Sequence, residues 1–294
     1  MTYILSVIAN PENPAIDNEL LDRIGDAVKG TPPRILAHNV AYDIGLSHPP
    51  SAEALTEAAM MAREARVDIN LISAENRRKK LLIADMDSTI IQQECIDEIA
   101  EYAGKRDEIS DITERAMRGE LDFDAALKER VAMLKGLSEG VLNEAFTNRI
   151  SLTPGAKTLV QTMNTLGAMT ALVSGGFTFF TSRVAKETGF QYNQANELLL
   201  DDGALTGEVG MPILGRAAKE SALKRLVSEA GIKLRDSIAV GDGANDLSML
   251  GAAGIGVAFR AKPTVAAAAH ARIDFADLTA LLYLQGIPQT EFRT

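Results

Sequence analysis

Apolar and polar residues alternate along this chain in two distinct rhythms. Residues 3–9, 34–46 and 67–72 carry short apolar runs that predict strands, the middle run being one long strand or two short ones around Ala41. Residues 18–28 and a stretch from Ser51 to about Arg66 predict helices, with Ser51 placed to cap the second. Gly30 to Pro33 and Ser47 to Ser51 supply the breaks. Beyond residue 80 the strands become continuous apolar runs bounded by polar residues, at 81–84, 168–173, 237–240 and 254–258, as in a parallel sheet buried on both faces. Residues 92–150 interrupt this pattern with helical stretches at 92–102, 109–117, 123–134 and 138–148, punctuated by Gly104, Gly119 and Gly136. After them, helices are predicted to about Leu166, from Phe177, around Lys219, and over 263–271 and 278–284. A hairpin is predicted at 197–209 around Asp201-Asp202-Gly203.

These rhythms predict two domains. Residues 1–78 form an α+β unit whose β-α-β-β-α-β order is ferredoxin-like and resembles the small ligand-sensing ACT domains in that order only. Residues 79–294 form an α/β unit: a Rossmann-like core with a parallel sheet (79–91 and 150–294) and a helical cap (92–149) inserted after the first core strand. An all-helical insert there can close over the strand ends and exclude water. The boundary falls at Glu75-Asn76-Arg77-Arg78-Lys79-Lys80, a basic run read as a solvated linker.

The net charge of −10 argues against a nucleic-acid or anionic-membrane partner, so an anionic substrate must be drawn in by a few local cations. No stretch approaches the ~18 apolar residues of a membrane span. The first residues lack a basic segment ahead of their apolar run and read as a strand rather than a signal peptide. Cys95 is the only cysteine, which precludes an intrachain disulfide and suits a reducing compartment, the cytoplasm. His38, His48 and His270 have no metal-ligand spacing and read as structural. An exposed sheet face in residues 1–74 would be available to a second copy, as in a homodimer.

Three of the buried runs end in polar turns. The first delivers Asp85 and Asp87, the second Ser174-Gly175-Gly176, the third Gly241-Asp242-Gly243-Ala244-Asn245-Asp246. Carboxyl ends of strands are where open α/β sheets bind ligands. A small-residue turn ahead of a helix offers N–H groups to a phosphate. Within the helical insert, Phe123 and Arg130 are two turns apart and share one helix face. Each feature alone also suits an ordinary turn, core phenylalanine or surface arginine. Together, crowded carboxylates need a cation, and hard oxygen ligands favour Mg²⁺. The chain has no P-loop, no G-x-S-x-G and no H-E-x-x-H. What remains is phosphoryl chemistry with a carboxylate nucleophile.

D-x-D-S-T, then S-G-G, then a helix-borne lysine, then G-D-G-x-N-D resembles the four-motif pattern of the haloacid dehalogenase (HAD) superfamily of phosphatases. Glu94 within IIQQECIDEIA, Phe123 and Arg130 within RGELDFDAALKERV, and SGGFTFF are similar to the phosphoserine phosphatases of that superfamily. The likeness covers roughly residues 79–284. It implies hydrolysis of O-phospho-L-serine, the last step of serine biosynthesis, with Asp85 as nucleophile and Asp87 as general acid and base. It implies Mg²⁺ held by the Asp85 side chain, the Asp87 backbone carbonyl and Asp242. Ser174, Gly175 and Lys219 would bind the phosphoryl oxygens, Asn245 would help position the phosphate, and Asp246 would orient Lys219 or a metal-bound water. Glu94 would meet the substrate ammonium and Arg130 its carboxylate, while Phe123 closes the pocket.

Overall fold

The computed structural model of the chain describes residues 2–294. Its N-terminal part runs β1 (Tyr3–Ile8), α1 (Asn18–Val28), β2 (Arg34–Ala37), β3 (Ala41–Leu46), α2 (Ala52–Glu64) and β4 (Asp68–Ser73). The strands form an antiparallel sheet in the order β2-β3-β1-β4, the ferredoxin-like arrangement. Residues 34–46 resolve into two strands because Asn39 turns the chain in a left-handed conformation, which asparagine tolerates. Both helices begin where a short polar side chain can satisfy a free N–H: Asp17 accepts from Leu20 and Ser51 from Ala54.

The alternation of side chains along β1 decides what each sheet face meets. Leu5, Val7 and Ala9 pack with α1 and α2. Ile4 and Ile8 point the other way, into an apolar cluster shared with the C-terminal part of the chain, including Tyr283 and Leu284. The face expected to be free for a second copy is therefore buried within the chain itself. The interface has a polar frame as well. Asn70 exchanges two hydrogen bonds with the backbone of Arg272, and Asp68 accepts from the backbone N–H groups of residues 274–276.

The basic run is correspondingly more than a solvated linker. Arg77 reaches inward, pairs with both oxygens of buried Asp43 (2.7 and 3.0 Å), and donates to the carbonyls of Tyr283 and Leu284. Arg78 and Lys79 follow the expected pattern more closely, lying at the surface near Glu291 and the Arg235 carbonyl.

The remaining elements are β5 (Leu81–Ala84), α3 (Cys95–Ala100), α4 (Arg106–Met117), α5 (Phe123–Ala132), α6 (Glu139–Arg149), α7 (Ala156–Thr165), β6 (Met169–Phe177), α8 (Thr178–Thr188), β7 (Tyr192–Asn196), β8 (Leu198–Asp201), β9 (Ala204–Val209), α9 (Arg216–Glu229), β10 (Ser237–Gly241), α10 (Leu247–Ala252), β11 (Ile255–Phe259), α11 (Pro263–Ala268), β12 (Ala271–Ile273) and α12 (Ala280–Leu284). A parallel sheet runs β12-β11-β10-β5-β6-β7. Its centre is apolar on both sides, which is why β5, β10 and β11 read as unbroken apolar runs.

This order places β5 between β10 and β6, with the chain winding outward in both directions from that point. The three strands that end in the polar turns are thus neighbours, at the position where such sheets open a crevice. Helices α3 to α6 form the insert. The β8–β9 hairpin grips it from below: the backbone of Gly136, Leu137 and Glu139 bonds to Leu205 and Gly203 of the hairpin. Strand β7 has no counterpart in the sequence reading, since its residues YNQAN are polar, as an edge strand allows.

Candidate active site

The site is built on the turn after β5. The Asp85 N–H still belongs to the sheet, donating to the Val240 carbonyl, and its Oδ1 accepts from the next N–H, that of Met86. Ser88 adopts a left-handed conformation (φ 53°), and this turns Asp87 back over the strand end. There Asp87 accepts from the Cys95 N–H (2.8 Å) and the Ser174 hydroxyl (3.0 Å). The first bond ties the turn to the start of α3 and explains why this helix begins at Cys95 rather than at Gln92. Ser88 in turn donates to Glu94 at 2.6 Å, fixing that carboxylate at the mouth of the insert.

Beneath the turn lies a charge cluster. Lys219, 1 % exposed on α9, sits 2.7 Å from Asp85 and 2.7 Å from Asp246. Asp246 also accepts from the Asp242 and Gly243 N–H groups, which closes the turn after β10. Thr89 donates to Asp242 at 3.2 Å. Asp85, Asp242 and Asp246 each bring a carboxylate oxygen within 4.8 Å of the others, and all three are buried. Burial pulls the Lys219 ammonium down, but Asp246 and Asp85 outweigh it and hold the lysine charged. Burial raises the Asp85 and Asp242 carboxyls well above their usual range, and the neighbouring carboxylates raise them further. One ammonium does not balance three carboxylates, so a bound cation is what this donor set fits.

Asp85, Asp87, Glu94, Phe123, Arg130, Ser174, Gly175 and Asn245 all line one cavity between the strand ends and the insert. Lys219, Asp242 and Asp246 lie behind it. Arg130 is 5 % exposed, and burial lowers its pKa while Glu94, Asp97 and Asp87 oppose the shift. Burial, with Asp87 beside it, pushes the Glu94 carboxyl up to about 8. Phe123 lies directly over Gly175, where an added Cβ would come 2.7 Å from its ring. At Gly176 a Cβ would come 2.5 Å from Asp87 Oδ2, so any larger residue there would have to move the Asp87 carboxylate.

One detail departs from the sequence reading: strand β6 continues through Ser174, Gly175 and Gly176 to Phe177 with a register shift where a turn was expected, and α8 follows at once from Thr178. The grouped side-chain oxygens are those of Asp85, Asp242 and Asp246, while the Asp87 carboxylate is held by Cys95 and Ser174. The sequence reading also missed Thr113 and Met117 on the cavity wall. It missed Asn196, whose side chain bonds the Gly175 carbonyl and both backbone groups of Leu214. Their helical or edge-strand contexts carry no motif that singles them out.

Residues 82–251 match the family model described as haloacid dehalogenase-like hydrolase. A phosphoserine phosphatase of Streptomyces coelicolor is 45% identical over 80% of this chain, and the chain spans 57% of that protein's length. A phosphoserine phosphatase of Streptococcus thermophilus is 49% identical, covering 68% of this chain and 93% of its own length. Among solved structures, a phospho-aspartyl intermediate analogue of phosphoserine phosphatase superposes with a TM-score of 0.67 at 40% identity, covering 70% of this chain and 98% of its own. Among the described residues, no helix is long and apolar enough to cross a membrane. With these likenesses and the cluster at the ends of β5, β6 and β10, the chain belongs to the haloacid dehalogenase-like hydrolases, among the phosphoserine phosphatases of that family.

Proposed function

We propose that the protein hydrolyses O-phospho-L-serine to serine and phosphate, with Asp85 as nucleophile and Asp87 as general acid and base. The observation that carries the reading is a single cavity lined both by Asp85 and Asp87 and by Glu94 and Arg130. The first pair suits phosphoryl transfer, and the second suits a substrate with an ammonium and a carboxylate. Asp85 attacks phosphorus and forms an aspartyl-phosphate while Asp87 gives a proton to the leaving serine oxygen. Asp87 then takes a proton from the water that opens the acyl phosphate. The Ser174 hydroxyl, the N–H groups around Gly175 and the Lys219 ammonium receive the phosphoryl oxygens, and Asn245 holds the phosphate in register. The buried Asn245 Oδ1 has no hydrogen-bond partner among the described residues and, as an acceptor, is left for a donor such as a bound water.

Mg²⁺ is the cation the hard, all-oxygen donor set suits, with Asp85, the Asp87 carbonyl and Asp242 as its holders and Asp246 within reach; when bound it neutralises charge on the transferring phosphoryl group. We read residues 1–78 as one domain and 79–294 as the catalytic domain, with 92–149 as its cap, in a cytoplasmic enzyme.

The test is phosphate release from O-phospho-L-serine, phosphoethanolamine and p-nitrophenyl phosphate after treatment with EDTA, with and without added Mg²⁺. Mg²⁺-dependent release that strongly prefers phosphoserine is the expected result. Equal turnover of all three would discard the roles of Glu94 and Arg130.

A further inference from the structure

Arg130 is held in an unusual way for a buried cation. Among the described residues no carboxylate oxygen lies within ion-pair distance of it. Its Nε donates to the Ala126 carbonyl one turn back (3.0 Å), and Nη1 donates to the Thr113 hydroxyl (3.0 Å). A guanidinium has five N–H groups, so five minus these two leaves three, on Nη1 and Nη2, with no protein acceptor and the cavity beside them.

Thr113 is itself buried, on α4, and its hydroxyl lies 2.8 Å from Asp97 Oδ1 and 2.9 Å from the Ile109 carbonyl. A hydroxyl has one proton. With a lone pair taken by Arg130, that proton goes to Asp97 or to Ile109, and the charged acceptor makes the stronger bond. Asp97 thereby turns the Thr113 lone pair toward Arg130 while staying one side chain removed from the guanidinium.

We propose that Thr113, oriented by Asp97, is the positioning residue that sets the Arg130 fork for a substrate carboxylate without neutralising it. A carboxylate in place of the hydroxyl would compete with the substrate for the same N–H groups. An apolar side chain would leave the guanidinium edge free to rotate on its stem. The neutral hydroxyl holds the angle and leaves the charge for the ligand. This inference rests on the proposed reading of Arg130 and deepens it.

The test compares O-phospho-L-serine with phosphoethanolamine, which lacks the carboxylate, on the Mg²⁺-loaded full-length protein. Thr113→Val keeps the branched shape and removes the hydroxyl, and Thr113→Ser keeps the hydroxyl and removes the methyl. We expect Thr113→Val to raise KM for phosphoserine by about tenfold, with kcat little changed and kcat/KM for phosphoethanolamine within about twofold of the wild type. Thr113→Ser should restore the phosphoserine KM.

If Thr113→Val does not fold, Thr113→Ala asks less of the packing and removes the same hydroxyl. A loss shared equally by both substrates, or a serine variant no better than the valine one, overturns the role of Thr113 while leaving the substrate assignment standing. A wild-type protein that does not distinguish the two substrates overturns the substrate assignment, and this inference with it.

Discussion

Replacing Arg77 by Met should uncouple the N-terminal sheet from the catalytic part of the chain. The Arg77 side chain is 10% exposed and that of Asp43 2%, and the two are joined by a forked pair of hydrogen bonds at 2.7 and 3.0 Å. The same guanidinium donates to the carbonyls of Tyr283 and Leu284, near the end of α12. Methionine can fill much of the volume but offers no donor. Asp43 would then be a carboxylate at 3% exposure with no cation, and two carbonyls would lose their partner.

Breaking a buried pair from one side costs about 3–5 kcal/mol, most of it the stranded charge. At about 2 °C per kcal/mol for a chain of this size, the melting temperature should fall by roughly 6–10 °C. The assay is a calorimetric melt of the wild type, Arg77→Met, Asp43→Asn and the double variant. The double variant should recover a large part of the loss, because the stranded charge is gone. If Arg77→Met melts within about 2 °C of the wild type, or if the double variant is simply the sum of the singles, the pair is not what holds this interface and the reasoning fails.

Two further outcomes follow from the site. Gly176→Ala should reduce kcat by about a hundredfold with the melting temperature little changed, because its Cβ would displace Asp87 Oδ2 from 2.5 Å and misplace the proton donor; unaltered turnover would mean that Asp87 need not sit where it does. Glu94, whose carboxyl is pushed up to about 8 by burial and by Asp87, is mostly protonated below that value in the free site and must ionise to pair with an ammonium. KM for phosphoserine should therefore fall as the pH rises toward about 8, and that slope should vanish in Glu94→Gln. The same slope for p-nitrophenyl phosphate, which has no ammonium, would assign it to another group.

What the sequence determined by itself was local. An unbroken apolar run ending in a polar turn is a buried strand with a functional end, and three such runs named Asp85, Ser174 and Asp242 before any fold was known. Helical spacing put Phe123 and Arg130 on one face, and the short polar cap Ser51 marked where the second helix begins.

The tertiary structure decided which of these neighbourhoods meet. Strand order β10-β5-β6 is not written in any one segment, since parallel strands far apart in the chain pair through long crossovers, yet that order alone brings the three turns together. The same holds for Arg77, which in sequence is one of four successive cations: only the approach of Asp43 and the end of α12 makes it a buried staple rather than a solvated charge. Thr113 shows the limit most plainly. Nothing in the helical pattern of α4 separates it from any other inward threonine, and its part in the site comes from α3, α4 and α5 packing so that one hydroxyl meets an aspartate on one side and an arginine on the other. Periodicity reports which face of an element is buried; it does not report what lies against that face, because this depends on interactions between residues distant in the chain.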